Sequence, residues 1–177
     1  MRTFNKIQMN SCLPKKFNLL LFFLLFSYLN AQQEDFIVIK SRLYQSIIDD
    51  NLNIISNAQT GGFDPIINKI ISDFDGEKWP YIQYSDVSRE GFDNTIHLNH
   101  LLKMAVAYKS SISKYFNDKS LLRNIINGLR FWCDNDFIGE NWWNNQIGTP
   151  RSMVELMLVI GEEFQDELIV KSKEIIN

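Results

Sequence analysis

Apolar residues recur along this chain at spacings of three and four, which is the period of an amphipathic helix, and no segment alternates as a half-buried strand does. Five segments carry the helical period. The first covers residues 35–57, the second 96–112 and the fifth 166–176, while the third runs from Leu122 to Cys133 and the fourth opens at Thr149-Pro150. The fold class is therefore predicted to be all-α.

The same spacing predicts which side of the first two helices is apolar. On the first helix this face contains Phe36, Leu43, Ile47, Ile48, Leu52 and Ile55. On the second helix it contains Leu98, Leu101, Leu102, Ala105, Tyr108 and Ile112, and the outward side carries Lys103 and Lys109. Each helix is expected to bury one face.

Capping residues mark the start of the later helices. Asp118 or Ser120 can cap the third helix, since either side chain accepts hydrogen bonds from the free N–H groups of a first turn. Thr149 is predicted to cap the fourth, with Pro150 at the first helical position, where no N–H donor is needed. Asp166 is predicted to cap the fifth helix.

The connection over residues 58–94 is rich in turn formers, yet it contains an apolar stretch that predicts a short helix at 66–74. Helix pairs joined by loops, with no polar closing helix at the C-terminal end, are typical of a helical-hairpin array. The sequence therefore predicts such an array, cut short after the fifth segment.

Residues 1–31 have the layout of a secretory signal peptide. Basic residues precede an apolar run at 19–26, and Leu29-Asn30-Ala31 supplies a small residue for cleavage after Ala31. The apolar run is shorter than the roughly 20 residues that cross a bilayer. We therefore expect residues 32–177 to be exported to the periplasm or the cell exterior, without a membrane anchor.

The expected mature chain is acidic. Removing the leader takes four of the 18 basic residues, so 14 remain against 21 acidic ones, a net charge of −7. Such a chain is not expected to bind nucleic acid, because that affinity comes from Lys and Arg neutralising phosphates. Cys133 is the one cysteine left, so stability has to come from an apolar core rather than from disulfides.

The segment Asn141-Trp142-Trp143-Asn144-Asn145-Gln146 carries the most informative chemistry. Two adjacent Trp side chains point in different directions in either regular structure, so both cannot serve one core face of a regular element. Indole faces beside side-chain amides suit a sugar ring, whose C–H groups stack while its hydroxyls form hydrogen bonds. The same residues also suit simple packing between hairpins, and composition does not decide between the two.

Other candidate groups have weaker patterns. His97 and His100 are three residues apart, whereas a helical zinc pair prefers four, so packing or capping is favoured over metal binding. Cys133 falls on the apolar face of its helix, which argues against a nucleophile. Three acidic side chains could hold a cation or polar sugar groups, but a solvated turn is the simpler interpretation: Asp134, Asp136 and Glu140.

Three motifs resemble those of polysaccharide lyase family 8, the hyaluronate, chondroitin AC and xanthan lyases. Residues 141–151, NWWNNQIGTPR, resemble the family's N-W-W-x-x-E/Q-I-G-x-P-R/Q signature. Residues 97–108, HLNHLLKMAVAY, are similar to its H-x-x-R-L-x-x-M-A-x-A-Y helix, and residues 128–132, GLRFW, to its G-L-x-Y/F-W segment. Order and spacing agree over about residues 36–165, which corresponds to the opening part of a lyase.

The resemblance implies an incomplete α/α toroid in which Trp142 and Trp143 position an acidic polysaccharide of the hyaluronan, chondroitin or xanthan type. The neighbouring amides of Asn141, Asn144 and Gln146 are the expected hydrogen-bonding partners of the sugar. Arg151 is either a partner for an anionic substituent or an ion-pair partner of Glu155 one turn on.

The chemistry implied by the resemblance is β-elimination at a uronic acid, with no metal or organic cofactor. In the family a catalytic Asn lies several dozen residues after the Trp pair, and His, Tyr and Arg come later still. The candidate tyrosines of this chain all precede the Trp pair, namely Tyr81, Tyr84, Tyr108 and Tyr115. No catalytic residue is therefore assigned. This portion alone is therefore predicted to be inactive.

Three hypotheses follow. The leading one is the N-terminal substrate-binding portion of an exported polysaccharide lyase, truncated before its catalytic residues. The second is a stand-alone, non-catalytic helical module that binds carbohydrate. In the third, the chain is a helical scaffold for protein partners and the Trp pair anchors an interface.

Overall fold

A computed structural model of the chain describes residues 15–56 and 63–176, and within these ranges every regular element is helical. This confirms the predicted all-α class. The helices are α1 (Lys15–Ser56), α2 (Phe63–Ser72), α3 (Asn94–Lys109), α4 (Lys119–Asn135), α5 (Thr149–Ile160) and α6 (Asp166–Ile176). A π-helical turn (Asn144–Gly148) precedes α5, and a 3₁₀ turn (Gly161–Glu163) follows it.

The chain divides into two compact units, Met1–Ser41 and Arg42–Asn177. In the first unit the described side chains of α1 are largely exposed, Phe36 among them. The predicted leader lies partly outside the described residues, and α1 continues through Ala31. Among the helices described, none is long and apolar enough to cross a membrane.

The second unit is organised around α3, which packs against α2, α4 and α5. The predicted apolar face from Leu98 to Tyr108 is buried, but the buried surface of this helix is wider than that face, and between these two residues only Asn99, His100 and Lys103 are not fully buried. Because it packs against three other helices, it needs an apolar surface over most of its circumference. Lys109 does not face away but pairs with Glu163 at 3.1 Å, and Ile112 lies beyond the helix end with 77% of its surface exposed.

The first predicted helix also buries less than expected. Ile48 is buried and Ile47 and Leu52 are partly buried, whereas Phe36 and Leu43 are exposed. In the second unit, therefore, only the part of α1 around Ile48 contributes to the core, while the side chain of Ile55 lies outside the described residues.

The structure decides between the two capping candidates for α4. The Asp118 carboxylate accepts hydrogen bonds from the backbone N–H groups of Ser120 and Leu121, at 2.7 and 3.0 Å. Ser120 instead lies inside the first turn. On the buried side of α4, Ile125, Leu129 and Trp132 pack into the core as predicted.

The predicted cap at Thr149 is wrong. The backbone N–H of Thr149 donates to the Asn144 carbonyl, because the π-helical turn already supplies a helical start upstream. The hydroxyl of Thr149 therefore has no end group to cap, and it is buried without a hydrogen-bond partner among the described residues. Helix α5 ends at Ile160, and Phe164, directly after the following 3₁₀ turn, is buried.

Candidate functional site

The two adjacent tryptophans lie at the surface, in the segment between α4 and α5 that we call the tryptophan turn (residues 141–148). Trp142 and Trp143 expose 59% and 48% of their surface, whereas the other two tryptophans, Trp79 and Trp132, are fully buried. Large apolar side chains exposed next to one another are typical of a binding surface.

Local hydrogen bonds begin this turn. The side-chain oxygen of Asn141 accepts from the backbone N–H of Trp143 at 3.1 Å, and its carbonyl accepts from the N–H of Asn144 at 3.0 Å. These bonds are those of a capping Asn. The predicted sugar-binding amide of Asn141 thus also has a structural role.

The turn then continues as one π-helical turn, Asn144–Gly148, which joins directly to α5. Isolated π-helical turns within helices occur frequently at functional sites. Neither the turn nor its junction with α5 follows from the apolar spacing, because the segment is too short and too polar to show a period.

The indole of Trp143 lies against the backbone of Gly148. A Cβ atom at position 148 would sit only 2.7 Å from Cζ3 and 3.2 Å from Cε3 of the ring. Gly148 itself is buried. The absence of a side chain therefore lets the ring lie close over the end of the π-helical turn and fixes how Trp143 is presented.

On the sequence-based expectation that the tryptophan turn binds saccharide, Gly148→Ala should displace the Trp143 ring and weaken that binding about tenfold, equivalent to about 1.4 kcal/mol. The ring would have to move because the new methyl group overlaps it. Affinity electrophoresis in a gel containing hyaluronan measures the effect. Gly161→Ala at the other end of α5 is the matched control, since its Cβ would meet nothing closer than 3.7 Å. Equal retention of the two variants would contradict the claim that close packing of the Trp143 ring on Gly148 is needed for binding.

Asn145 attaches the turn to the preceding loop. Its side-chain oxygen accepts from the Gly139 N–H at 2.9 Å, and its side-chain nitrogen donates to the Gly139 carbonyl at 2.7 Å. In the same loop, the Glu140 N–H donates to the Val87 carbonyl at 2.8 Å. In the sequence, Asn145 is one more amide beside the tryptophans, and nothing in the spacing indicates this two-point contact.

The remaining predicted site residues surround the turn. Asn144 is half-buried and Gln146 is exposed. Arg151 is exposed on the first turn of α5, and its Nε donates to Glu155 at 2.8 Å, so it forms the ion pair that the spacing allowed. This pair leaves the outer nitrogens of the guanidinium available to a ligand.

His97 and His100 are packing residues in the described structure. His97 Nε2 donates to the Gly128 carbonyl at 2.9 Å, so the neutral ring accepts at Nδ1 from the hydroxyl of Tyr84 at 2.8 Å. His100 Nε2 lies 2.6 Å from the hydroxyl of Tyr81, and both imidazoles contact the Trp79 indole edge-on. Within the described ranges no cluster of His, Cys, Asp and Glu could hold a metal ion.

Burial lowers the pKa of both His97 and His100 to about 4. In the unfolded chain the two imidazoles take up protons near pH 6.5, whereas in the folded chain they do so only near pH 4. The stability that the neutral imidazoles contribute is therefore complete above pH 6.5 and is lost as the pH falls toward 4. For His97 the loss amounts to about 3 kcal/mol at low pH.

The chain contains only two histidines, so proton NMR of the imidazole Cε1–H groups reads them directly. Both signals are expected to stay at the positions of neutral imidazole down to about pH 5. The urea concentration at the unfolding midpoint is expected to decrease as the pH is lowered below 6.5. Titration of either signal near pH 6.5 would contradict this burial.

The acidic candidates do not form a common site. Asp134 pairs with Lys171 at 2.7 Å, and Asp136 ends α4 with a left-handed backbone. Glu140 is exposed, and its backbone joins the loop contact described above. Burial raises the pKa of Cys133 to about 11, which keeps the thiol protonated and unreactive.

Comparison with known proteins places this geometry in a family. Residues 67–177 match the profile described as polysaccharide lyase family 8, N-terminal alpha-helical domain. Chondroitinase-AC of Pedobacter heparinus is 30% identical over 97 residues, which are 52% of this chain and 13% of that protein. Hyaluronate lyase HylB of Enterococcus faecalis is 30% identical over 80 residues, 42% of this chain and 8% of that protein.

Solved structures agree on the fold. A chondroitinase AC lyase from a study of enzyme–oligosaccharide complexes superimposes with a TM-score of 0.61 at 22% identity, covering 76% of this chain and 20% of that one. The xanthan lyase of Paenibacillus gives a TM-score of 0.61 at 19% identity, covering 81% and 15%. The predicted α/α toroid architecture, here its opening part, is confirmed, and the chain spans at most a fifth of the length of these proteins.

Proposed function

This chain belongs to polysaccharide lyase family 8, within its N-terminal α-helical domain, and from that premise we propose that it is the substrate-binding N-terminal portion of an exported lyase. The reaction of the whole enzyme would be β-elimination at a uronic acid within an acidic polysaccharide. The relatives act, by their names, on chondroitin, hyaluronan and xanthan, and this chain is proposed to bind a polymer of that kind.

One observation carries the binding proposal: Trp142 and Trp143 are about half exposed on a turn held in place by Gly148 and Asn145. A platform fixed before the ligand arrives loses little entropy on binding. The exposed face of an indole offers the apolar surface on which the C–H face of a sugar stacks, and Gln146 adds an exposed amide beside it.

Export is proposed from the leader-like residues 1–31, with their basic start, apolar run and small residue at the expected cut. A uronic-acid polymer is too large to enter a cell uncleaved, so an enzyme exported to meet it outside the cytoplasm fits the proposed substrate.

Catalysis is proposed to need residues other than those of this chain. A tyrosine that acts as the base of an elimination has to be deprotonated first, so its pKa cannot lie far above the working pH. Tyr84 does not fit, because burial raises its pKa to about 12, and burial also raises the pKa of Tyr81. Tyr84 is further occupied by the backbone N–H of Trp79 and by His97.

We therefore expect the purified chain to release no unsaturated uronate from hyaluronan or chondroitin, while still being retained by either polymer in affinity electrophoresis. Ultraviolet absorbance of the unsaturated product measures cleavage, and a complete family 8 lyase serves as the positive control. Product formation by this chain would overturn the assignment of catalysis to other residues. Loss of retention would overturn the binding role.

A further inference from the structure

A surface that combines apolar and basic side chains lies at the end of α3 opposite to the tryptophan turn. At the N-terminal end of α3, Phe92 lies against Gly139, which is hydrogen-bonded to Asn145 of the tryptophan turn. The connection between α3 and α4, residues 110–118, follows the C-terminal end, and the 16 residues of α3 separate the two ends by about 24 Å. We call this connection the Ile112 loop.

Alternate side chains of the Ile112 loop point into the solvent. Ile112 exposes 77% of its surface and Phe116 47%, and Lys114 between them is also exposed. Ser113 is buried and Tyr115 is half-buried. The loop therefore presents an aliphatic side chain, a cation and an aromatic ring on its outer side.

Hydrogen bonds on the inner side hold the loop in this form. The Ser113 hydroxyl donates to the Asp64 carboxylate at 2.8 Å, and the Tyr115 hydroxyl donates to the side-chain oxygen of Asn68, both on α2. The backbone N–H of Asn117 donates to a carbonyl in the last turn of α3 at 2.9 Å. The two exposed apolar side chains are thus fixed in place before any partner arrives, which reduces the entropy lost on binding.

The exposed charges around these apolar side chains are positive. Lys114 lies between them, and Lys119 and Arg123 follow one turn apart at the start of α4, all three exposed. In the part of the chain that the structure describes, neither Lys114 nor Arg123 forms an ion pair. The carboxylates that contact the loop or its flanks are half-buried, and each already accepts hydrogen bonds within the structure: Asp64, Asp118 and Glu163.

This combination favours a lipid surface over a protein or a sugar. A stable protein interface buries about 800 Å² on each partner, far more than two apolar side chains of one short loop supply. The branched side chain of Ile112 has no flat face on which a sugar ring stacks. Apolar side chains next to Lys and Arg instead match the boundary of an anionic bilayer, where apolar groups enter the headgroup region and cations meet lipid phosphates.

We propose that the Ile112 loop binds the surface of an anionic phospholipid bilayer, with Ile112 and Phe116 among the headgroups and Lys114, Lys119 and Arg123 facing the lipid phosphates. This is a reversible contact of a loop, and it needs no membrane anchor. The inference goes beyond the proposed function and does not depend on it. Helix α3 would keep the tryptophan turn away from the lipid and open to a polymer.

The test uses a fluorescent reporter in the full chain. Trp142 and Trp143 are replaced by alanine, and Phe116→Trp then supplies the one exposed indole, because Trp79 and Trp132 are fully buried. Vesicles of brominated phosphatidylglycerol, which is anionic, and of brominated phosphatidylcholine, which is zwitterionic, quench an indole only where it enters the bilayer. Measurement at saturating lipid makes a chain held by its leader count equally with both lipids.

We expect quenching of the new indole to be about fivefold or more greater with the anionic lipid. Lys114→Gln and Arg123→Gln together should remove most of that difference, because each cation strengthens binding to an anionic surface about fivefold. Arg89→Gln and Lys173→Gln together remove the same net charge from exposed positions outside the loop and should leave quenching within about twofold. Ile138→Trp, at a 60% exposed position near the tryptophan turn, is the matched reporter and should not be quenched.

The outcomes decide as follows. Quenching confined to the Phe116→Trp chain and to the anionic lipid, and lost with the two loop cations, supports the proposal. Equal quenching by both lipids, or at both reporter positions, overturns it, since the leader or unspecific adsorption would then account for the contact. An indole that neither lipid quenches also overturns it, and if hyaluronan shifts the emission of that indole instead, the loop binds an acidic polymer. None of these outcomes bears on the proposed function, because the reporter chains lack both exposed tryptophans.

Discussion

Replacing Trp142 and Trp143 together with alanine is expected to weaken the binding of hyaluronan or chondroitin by roughly 30- to 1,000-fold. Aromatic anchors of this kind contribute about 2 kcal/mol or more each when they are truncated, although the two effects do not simply add. The stability of the chain should change little, because both side chains are about half exposed and contribute little to the core.

Affinity electrophoresis in gels with and without polysaccharide measures the effect, and thermal unfolding monitors the fold. Phe116→Ala is the matched control, because Phe116 is an exposed aromatic residue of similar accessibility, 47%, in the connection between α3 and α4. Undiminished retention of the double variant would contradict the sugar platform. Loss of a protein partner without loss of retention would favour the scaffold hypothesis.

The second large effect is expected in the core. Trp79→Ala should lower the free energy of unfolding by about 3–5 kcal/mol, enough to unfold a marginally stable domain. Trp79 is fully buried, its indole N–H donates to the Ile70 carbonyl at 2.8 Å, and its ring contacts Phe74, His97 and His100. Its removal leaves a cavity and an unpaired carbonyl.

Urea unfolding followed by circular dichroism measures this loss. Trp142→Ala provides the same chemical change at an exposed position and is expected to cost less than about 1 kcal/mol. Similar losses from the two substitutions would contradict the burial of Trp79 against Ile70 and His97. If Trp79→Ala does not fold, Trp79→Phe should fold with an intermediate loss.

The contrast between helices explains how much of the fold the sequence predicts. The period of α4 identified its buried residues, Ile125, Leu129 and Trp132, because one face packs inward and the other meets water. For α3 the period identified only part of the buried surface, because a helix packed against three neighbours keeps only a narrow exposed strip, here at Asn99. Burial of this kind depends on contacts between distant segments, which spacing within one helix does not report.

The candidate site, too, could be predicted from the sequence only in part. Adjacent tryptophans beside amides identified a surface candidate, because two neighbouring large side chains do not fit one face of a regular element. The sequence could not indicate that the Trp143 ring packs against Gly148 or that the Asn145 side chain forms hydrogen bonds with Gly139. Both contacts depend on the π-helical turn. The wrong prediction of a cap at Thr149 has the same origin. The π-helical turn already provides a helical start upstream, so no free N–H group is left for the Thr149 side chain to cap.

The most direct test of the central claim, that the tryptophan turn binds saccharide, is acrylamide quenching of tryptophan fluorescence. Trp79 and Trp132 are fully buried, so a neutral quencher reaches chiefly Trp142 and Trp143. Titration of the full chain with hyaluronan hexasaccharide is predicted to reduce quenching saturably, toward the level of the double alanine variant. Quenching that stays unchanged at saturating hyaluronan and chondroitin oligosaccharide would contradict the account.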